Sequence, residues 1–463
     1  MSDAAQRLTL VATILGSTIA FVDATVVSVA LPTIERDLDL GLTGEQWVVL
    51  SYSLALGSLY LTGGALGDRF GRRETFAVGT IGFVAASALA GAAPNAGVLI
   101  AGRALQGVAG AVLTPTSLGL LRATFGRESG RAIGIWTAWT SAAGVAGPPV
   151  GGAIAEWASW RLIFFVNIPL GAAAVSLALA ARREPEVERE RRPLDLPGAA
   201  LAAAGLGALA FGLVEAGRDG FGAVASWAPL AAAAPLLVVF LMFEARARAP
   251  MLPLSLFRPR ELAVANAETF LVYAALSAVA FYLALYLQST GFSAFATGAL
   301  MTPASLVLIA LGARFGTVAD RVGVRPLLAA GPMVVGCGTL LFLLLGPASG
   351  WPLVLPGILV FGLGIAMTVA PITTAALRSA PDRHAGLAAG VNATISRVGA
   401  LVAIAVVGIV VAAAYDGRGE PLAKDQHGAA AQASTTAFRA GMAVAAGLAF
   451  AGGAVGLLGL RRE

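Results

Sequence analysis

The chain has 463 residues, of which 57% are hydrophobic and only 12% are charged. Soluble domains are about 25% charged, and a soluble fold of this composition would have too little polar surface to cover itself. The formal charge of +5 does not indicate a nucleic-acid partner, because the arginines lie in short loops between apolar segments, where they report membrane topology.

Residue usage excludes several classes of enzyme. All but one of the 31 basic residues are arginine, the exception being Lys424, so a Walker-type phosphate loop has no lysine to build on. Cys337 is the only cysteine, and His384 and His427 are the only histidines, which leaves no Cys/His metal cluster. We therefore expect neither an enzyme nor a metal or cofactor site.

Hydropathy predicts fourteen membrane spans in chain order, each of about 20 residues or more. They cover roughly residues 8–31, 46–66, 75–93, 97–121, 132–154, 162–181, 196–215, 225–243, 262–287, 295–313, 326–345, 353–377, 385–413 and 434–460. The first run is too long for a signal-peptide core. An even number of spans places both termini on one side, and the excess of arginine in the loops on that side predicts that both termini are cytoplasmic.

A charged, glycine-rich segment occurs twice, each time between two apolar runs. The two copies cover residues 64–73 and 316–325 and follow the second and the tenth span. A repeated element of this kind indicates a chain built from two related halves. The residues that define the pattern are Gly64, Asp68, Arg69, Gly71 and Arg72 in the first copy and Asp320 and Arg321 in the second.

This loop resembles the signature loop of the major facilitator superfamily. Four further segments, 23–32, 103–110, 144–152 and 160–169, resemble in order and position the fourteen-span drug/proton antiporter branch. The resemblance implies an all-α integral membrane fold of two six-helix bundles related by a pseudo-twofold axis, with two inserted helices. It implies three parts: 1–181, 182–260 with the inserted pair, and 261–463.

Asp23 is the candidate for proton coupling. A carboxylate inside a span is costly and persists mainly where it faces a cavity or a partner. Counted at about 1.5 Å per residue from the outer span ends, Asp23, Arg103 and Gly147 lie at a similar depth, so Arg103 is the predicted partner that holds Asp23 ionised. The alternatives are a structural acid bonded to hydroxyls such as Thr25, and an arginine that extends to the membrane surface.

Two other motifs have mechanical interpretations. The resemblance implies that the fifth span carries the antiporter motif, which seals the outer side when the carrier faces inward. Its residues are Gly144, Gly147, Pro148, Gly151 and Gly152. Glycine-mediated helix packing is the alternative explanation for some of these glycines.

Also by resemblance, Asp68 and Arg72 form a cytoplasmic latch that breaks when the conformation changes. Anchoring by positive charge alone would explain the arginines of this loop but not Asp68 or the glycine spacing.

A third set of residues is predicted to line a substrate cavity, because aromatic walls with few polar groups suit amphipathic molecules. For each of them, packing or interface anchoring is the alternative. The set is Tyr52, Gln106, Trp139, Asn167, Glu268, Tyr282, Tyr286, Gln288, Asn392 and Arg397. Glu268 is also a candidate second acid.

These features together predict a secondary transporter that exports amphipathic small molecules such as drugs, antiseptics or dyes in exchange for protons. The expected location is a bacterial plasma membrane, and the expected form is a monomer that uses the proton gradient without a cofactor. A dedicated exporter of one metabolite or antibiotic is the alternative, and a membrane receptor is disfavoured because no sizeable soluble domain is present.

Overall fold

The computed structural model describes residues 3–126, 129–181, 195–248, 250–257, 259–378, 385–416, 419–424 and 426–459. Fifteen α-helices account for most of this described part. In chain order they are α1 Asp3–Leu38, α2 Gly41–Phe70, α3 Arg72–Gly91, α4 Ala96–Phe125, α5 Ser129–Trp157, α6 Arg161–Phe165, α7 Asn167–Ala180, α8 Leu196–Asp219, α9 Val224–Arg246, α10 Arg260–Ser289, α11 Ala294–Val322, α12 Arg325–Leu341, α13 Trp351–Arg378, α14 Ala385–Ala414 and α15 Gly428–Gly459.

The fourteen predicted spans correspond to these helices, with α6 and α7 sharing the sixth. Thirteen segments of the described chain are long and apolar enough to cross a membrane, and Arg161–Ala180, which joins α6 to α7, is one of them. The helix outside this set is α5, whose many Gly, Pro, Thr, Ser and Trp residues lower its hydropathy. Its 29 residues nevertheless pack along α1 and α11 within the bundle.

The helices define two ends of the molecule. The terminal face is the end at which α1 and α10 begin and α15 ends, and Arg260 at the start of α10 donates to the carbonyl of Leu458 at the end of α15. The distal face is the opposite end, where α1 and α10 finish and Gln288 donates to Val29 O at 2.8 Å.

The two copies of the charged loop make corresponding contacts in the two halves. Gly71 and Gly323 occupy the same position in the repeat, and both have positive φ, at 99° and 80°, a backbone conformation that favours glycine. Two residues further on, Arg73 donates to carbonyls at the end of α7 and Arg325 to Leu457 O near the end of α15. The internal repeat predicted from sequence is thus present in the tertiary contacts.

The two halves meet at the distal face and separate between α5 and α11 towards the terminal face. A Cβ added to Gly298 of α11 would lie 2.1 Å from Pro148 O of α5, whereas Gly134 of α5 and Gly316 of α11 have no neighbour within 4 Å. The halves also meet along a second seam, between α2 and α14. This seam is still packed closer to the terminal face, since a Cβ on Gly390 of α14 would lie 2.7 Å from the Leu61 side chain of α2. At these positions α2 and α14 are therefore in contact, whereas the glycines of α5 and α11 face open space.

The two helices predicted as an insertion, α8 and α9, lie outside the α2 and α14 seam. α8 contacts both of those helices, and α9 packs mainly on α8. The Phe211 ring of α8 lies 5.9 Å from the Trp47 ring of α2, and Gly217 of α8 approaches the Ile409 backbone of α14. The inserted pair therefore spans the boundary between the two halves from outside.

Candidate functional site

A buried ion pair lies between α1 and α4. Arg103 Nη1 donates to Asp23 Oδ2, and the two residues are only 1% and 2% exposed. Because Arg103 is enclosed by protein, it does not extend to the membrane surface. Its guanidinium also donates through Nε to Val48 O at 3.1 Å and lies 4.5 Å from the centre of the Tyr52 ring.

Neutral polar groups complete the surroundings of this pair. Gln106 is fully buried, accepts from Arg103 Nη1 at 2.9 Å and donates through Nε2 to Asp23 Oδ1 at 3.1 Å and to Ser87 Oγ at 2.8 Å. Asn167 of α7 donates to the same Ser87 hydroxyl at 3.2 Å. Both carboxylate oxygens of Asp23 are thus occupied, as a buried charge requires.

Of the predicted cavity residues, Gln106, Asn167 and Tyr52 therefore belong to the environment of the ion pair. Tyr52 contacts Arg103 through its ring, while Gln106 and Asn167 are linked through Ser87. Asn167 is 2% exposed and faces the interior of the amino-terminal half. It does not face the opposite half, because α7 turns this side chain towards α3.

The glycines of the fifth span allow two helices to approach α5. A Cβ on Gly147 would lie 2.1 Å from Thr25 Oγ1 of α1, and one on Gly151 would lie 2.4 Å from the Val26 side chain. On the other side, a Cβ on Gly152 would lie 2.3 Å from Ala294 O of α11. α5 continues as a helix through both prolines, so this segment is a continuous packing surface in the present conformation.

Gly144 does not share this close packing. No atom lies within 4 Å of the position a Cβ would take there, so Gly144 has no close helix neighbour in this conformation.

Polar groups bridge the two halves near the distal face. Gln46 of α2 donates through Nε2 to the Tyr282 hydroxyl of α10 at 2.8 Å, and that hydroxyl donates to Ile404 O of α14 at 2.6 Å. Glu156 of α5 accepts from Phe295 N of α11 at 2.9 Å. Together with the contact from Gln288 to α1, these bonds hold the distal face closed.

The glycine-rich loop after α2 places Asp68 and Arg72 one turn apart. Arg72 donates to Asp68 Oδ1 through Nε and Nη2 at 3.1 and 3.0 Å, and through Nη1 to Gly119 O at 3.2 Å. Arg69 lies over the Phe70 ring at 5.4 Å. In the second copy Arg321 is exposed, and the side chain of Asp320 lies outside the described part.

Two residues predicted to line the cavity lie instead inside the carboxyl-terminal half. The Tyr286 ring stacks on Phe438 at 4.0 Å, and its hydroxyl meets Thr435 Oγ1 at 3.2 Å. Glu268 is fully buried with both carboxylate oxygens unpartnered, and Gly456 of α15 lies beside it. These side chains face α15 rather than the amino-terminal half, so the cavity prediction is corrected for both.

Of the remaining predicted cavity residues, Arg397 contacts the opposite half, whereas the hydrogen bonds of Asn392 stay within the carboxyl-terminal half. Asn392 of α14 donates to Asn266 Oδ1 at 3.2 Å and Thr269 Oγ1 at 2.7 Å on α10. Arg397 of α14 lies 4.9 Å from the Tyr60 ring of α2. Trp139 of α5 is 62% exposed.

Sequence reasoning missed several groups at this site. Gln46 stands at the beginning of the predicted second span, where a polar amide next to an apolar run could have been recognised from the sequence. Ser87, Glu156 and Gly298 carry no comparable signal, because each gains its importance from a helix distant in sequence.

Comparisons with known proteins give consistent results. A family model described as Major Facilitator Superfamily matches residues 13–404. The multidrug resistance protein Stp of Mycobacterium tuberculosis (strain CDC 1551 / Oshkosh) is 36% identical, with 90% of this chain and 78% of that protein covered. The tetracenomycin C resistance and export protein of Streptomyces glaucescens is 33% identical, with 87% and 76% covered.

Two further comparisons extend this set. The methylenomycin A resistance protein of Bacillus subtilis (strain 168) is 35% identical, with 86% of each chain covered. Among solved structures, a bacterial homologue of the human lysosomal transporter Spinster, inward-facing and occupied, superposes with a TM-score of 0.72 at 15% identity, with 99% of this chain and 97% of that chain covered. At this identity the structural likeness concerns the fold alone.

Proposed function

The chain belongs to the major facilitator superfamily, and from that premise we propose that it is a proton-coupled antiporter that exports amphipathic small molecules by alternating access. The family makes it a multi-pass membrane transporter of a small-molecule substrate, not an enzyme. Relatives named for multidrug resistance and for antibiotic resistance and export support an exported drug-like substrate.

The observation that carries the proposal is the position of the ion pair beside the distal closure. Asp23 lies two and three residues before Thr25 and Val26, which pack against Gly147 and Gly151 of α5. A change in the ionisation of Asp23 therefore acts on the turn of α1 that packs against α5, and the other side of α5 meets α11 at the distal face. This proximity gives proton binding a direct mechanical effect.

The energetics favour such a coupling. A buried charge left without its partner costs about 3–5 kcal/mol, so protonation of Asp23 would leave Arg103 in an unfavourable environment. A conformation in which Arg103 finds other acceptors or water relieves that cost. We propose that this difference drives the exchange between a distal-open, proton-loading state and the distal-closed state described here.

The arginine-rich loops support an orientation with the terminal face in the cytoplasm. In that orientation the present conformation is inward-facing. We propose a location in the bacterial plasma membrane with both termini cytoplasmic, a monomer as the working unit, and the proton gradient as the only energy source, without a cofactor.

The function is tested by an efflux panel in an exporter-deficient bacterial host. Cells that express the chain should accumulate less of one or more amphipathic drugs or dyes than cells carrying an empty vector, and a protonophore should remove the difference. The same amount of accumulation with and without the chain, across the whole panel, would contradict export.

The latch predicts a kinetic effect at Asp68. Asp68→Asn should slow turnover several-fold with little change in substrate affinity or thermal stability, because the pair with Arg72 is exposed and such surface pairs contribute only about 0–1 kcal/mol. Here Asp68 near the end of α2 and Arg72 at the start of α3 pair within the amino-terminal half, so the contacts between the two halves would form in the other conformation. Initial transport rates and binding constants measured on the same preparation separate the two quantities, and an affinity loss as large as the rate loss argues against a latch.

The inserted helices are expected to lie outside the substrate path. Val238, Val239 and Met242 of α9 are about half exposed on its outer side. Single cysteines there, in a Cys337→Ala background, should react with a lipid-soluble maleimide at the same rate with and without substrate. Tyr60→Cys is the contrasting variant, because Tyr60 of α2 lies beside Arg397 of α14 in the other half. Protection of the α9 cysteines by substrate would show that the inserted pair lines the substrate path.

A further inference from the structure

Arg397 lies in the middle of α14 and has no acidic partner in the described part of the chain. It is the thirteenth residue of a 30-residue helix, at about 18 Å from the helix start at 1.5 Å per residue. Arg397 donates from Nη1 to Ala393 O at 3.0 Å, and its guanidinium lies 4.9 Å from the centre of the Tyr60 ring. An ionisable residue at such depth usually marks a binding or transport function.

The contrast with Arg103 is informative. Arg103 is neutralised by Asp23 and enclosed by Gln106 and Val48. Arg397 uses one donor on its own helix, although a guanidinium carries five N–H groups in a planar fork. It is half-buried at the boundary between the halves, and its remaining donors have no acceptor among the described residues.

The groups around Arg397 are aromatic or neutral. Tyr60 of α2 lies against the guanidinium. Tyr273 of α10 stands one turn beyond Thr269, which Asn392 of α14 contacts, and Gly399 of α14 packs on the backbone of Phe270 at the same level. The hydroxyls of Tyr60 and Tyr273 form no hydrogen bond in the described structure, which leaves them available as donors. One to two turns towards the terminal face, Asn392 adds a neutral amide held by α10.

The nearby acids do not offset this positive charge. Asp23 is already paired with Arg103. Glu268, on α10, faces Gly456 of α15 inside the carboxyl-terminal half, and no ion pair joins it to Arg397 in the described residues. Among the described residues, Arg397 is therefore a positive charge without an acidic partner, beside the Tyr60 ring.

We propose that Arg397, with Tyr60 and Tyr273, binds the acidic group of the exported molecule, so that the substrates are amphipathic anions carrying a carboxylate or an ionised phenol. The planar fork of arginine suits a carboxylate through two parallel hydrogen bonds, and the tyrosine rings cover the apolar body next to it. A cationic molecule at this position meets a like charge. This inference rests on the proposed export function and narrows its substrate class.

The test uses three probes that share one apolar body: pyrenebutyric acid, its methyl ester and a pyrenebutyl trimethylammonium ion. Binding to the purified full chain is measured by calorimetry in detergent. We expect the acid to bind at least tenfold more tightly than the ester or the cation. This comparison needs no variant and therefore does not depend on how a substitution folds.

Substitutions then assign the preference to Arg397. Arg397→Gln should weaken binding of the acid at least tenfold and leave binding of the ester unchanged. Arg397→Lys should retain part of the preference for the acid, because lysine keeps the positive charge but lacks the planar pair of donors that a guanidinium offers. Arg218→Gln, at an exposed position near the end of α8, is the matched control and should change nothing.

Equal binding of acid and ester, preference for the cation, or an equal loss for all three probes in Arg397→Gln would overturn the proposal. The efflux panel is independent of this test. If drugs are exported while the acid is not preferred, the substrate class is wrong and export stands, whereas absence of efflux across the panel contradicts export itself.

Discussion

Asp23→Asn is expected to abolish uphill export while the protein still folds into the membrane. One proton moving through 100 mV contributes about 2.3 kcal/mol, which supports roughly fifty-fold accumulation of a neutral substrate. Asparagine has similar size and keeps an acceptor for Gln106, but it cannot carry the proton. Accumulation driven by an imposed proton gradient in proteoliposomes should therefore fall to about the equilibrium ratio of one.

A second variant separates coupling from stability. Asp23→Asn alone leaves Arg103 buried without its counter-charge, a situation that costs about 3–5 kcal/mol, so its thermal unfolding temperature should fall. Asp23→Asn combined with Arg103→Gln should recover much of that stability, because the charges are removed together, and should remain uncoupled. Uphill transport at the wild-type level by either variant would remove Asp23 from the coupling mechanism.

Gly298→Ala is expected to prevent closure of the distal face and to reduce uphill export at least tenfold. The added Cβ would lie 2.1 Å from Pro148 O, and this neighbour is backbone that cannot rotate away. Overpacking of this kind costs about 1–3 kcal/mol, which shifts a two-state equilibrium by about 5- to 150-fold. The penalty applies only to the distal-closed state, so the distal-open state gains population.

The reactivity of a cysteine at the distal face reports this shift in the conformational equilibrium directly. Thr297 lies beside Gly298 and is fully buried. A cysteine there, in a Cys337→Ala background, should react faster with a membrane-impermeant maleimide added at the distal side once Gly298→Ala is present. Gly144→Ala is the matched control, since its Cβ has no neighbour within 4 Å and both export and labelling should stay near wild type. Equal export and equal labelling rates in Gly298→Ala and Gly144→Ala would contradict the role of Gly298 in closing the distal face.

The two halves could be recognised from sequence because the repeated loop is local. Asp68 to Arg73 contains both the glycine that adopts positive φ and the arginine that anchors the next helix, so its pattern survives in Gly323 and Arg325 without knowledge of the fold. Hydropathy gave the spans for a related reason. A backbone in lipid must satisfy its own hydrogen bonds, so a long apolar run has few structures open to it.

The ion pair was partly predictable. Depth along each span placed Asp23 and Arg103 at one level, since the rise of a helix converts residue number into distance. Depth says nothing about rotation around the helix axis, however. Residue type says nothing about that rotation either, so Glu268 and Tyr286 were predicted to line the cavity, whereas α10 turns them towards α15 and turns Tyr282 towards α14.

The sequence by itself determined the helical membrane architecture, the internal repeat and the acid and base that form the buried pair, because each is written in local composition, spacing or depth. Only the tertiary structure decided which motif glycines are in contact, where the halves meet, and that no acid of the described chain pairs with Arg397. Those properties depend on how helices rotate and cross, and crossings are fixed by side chains from segments far apart in the chain.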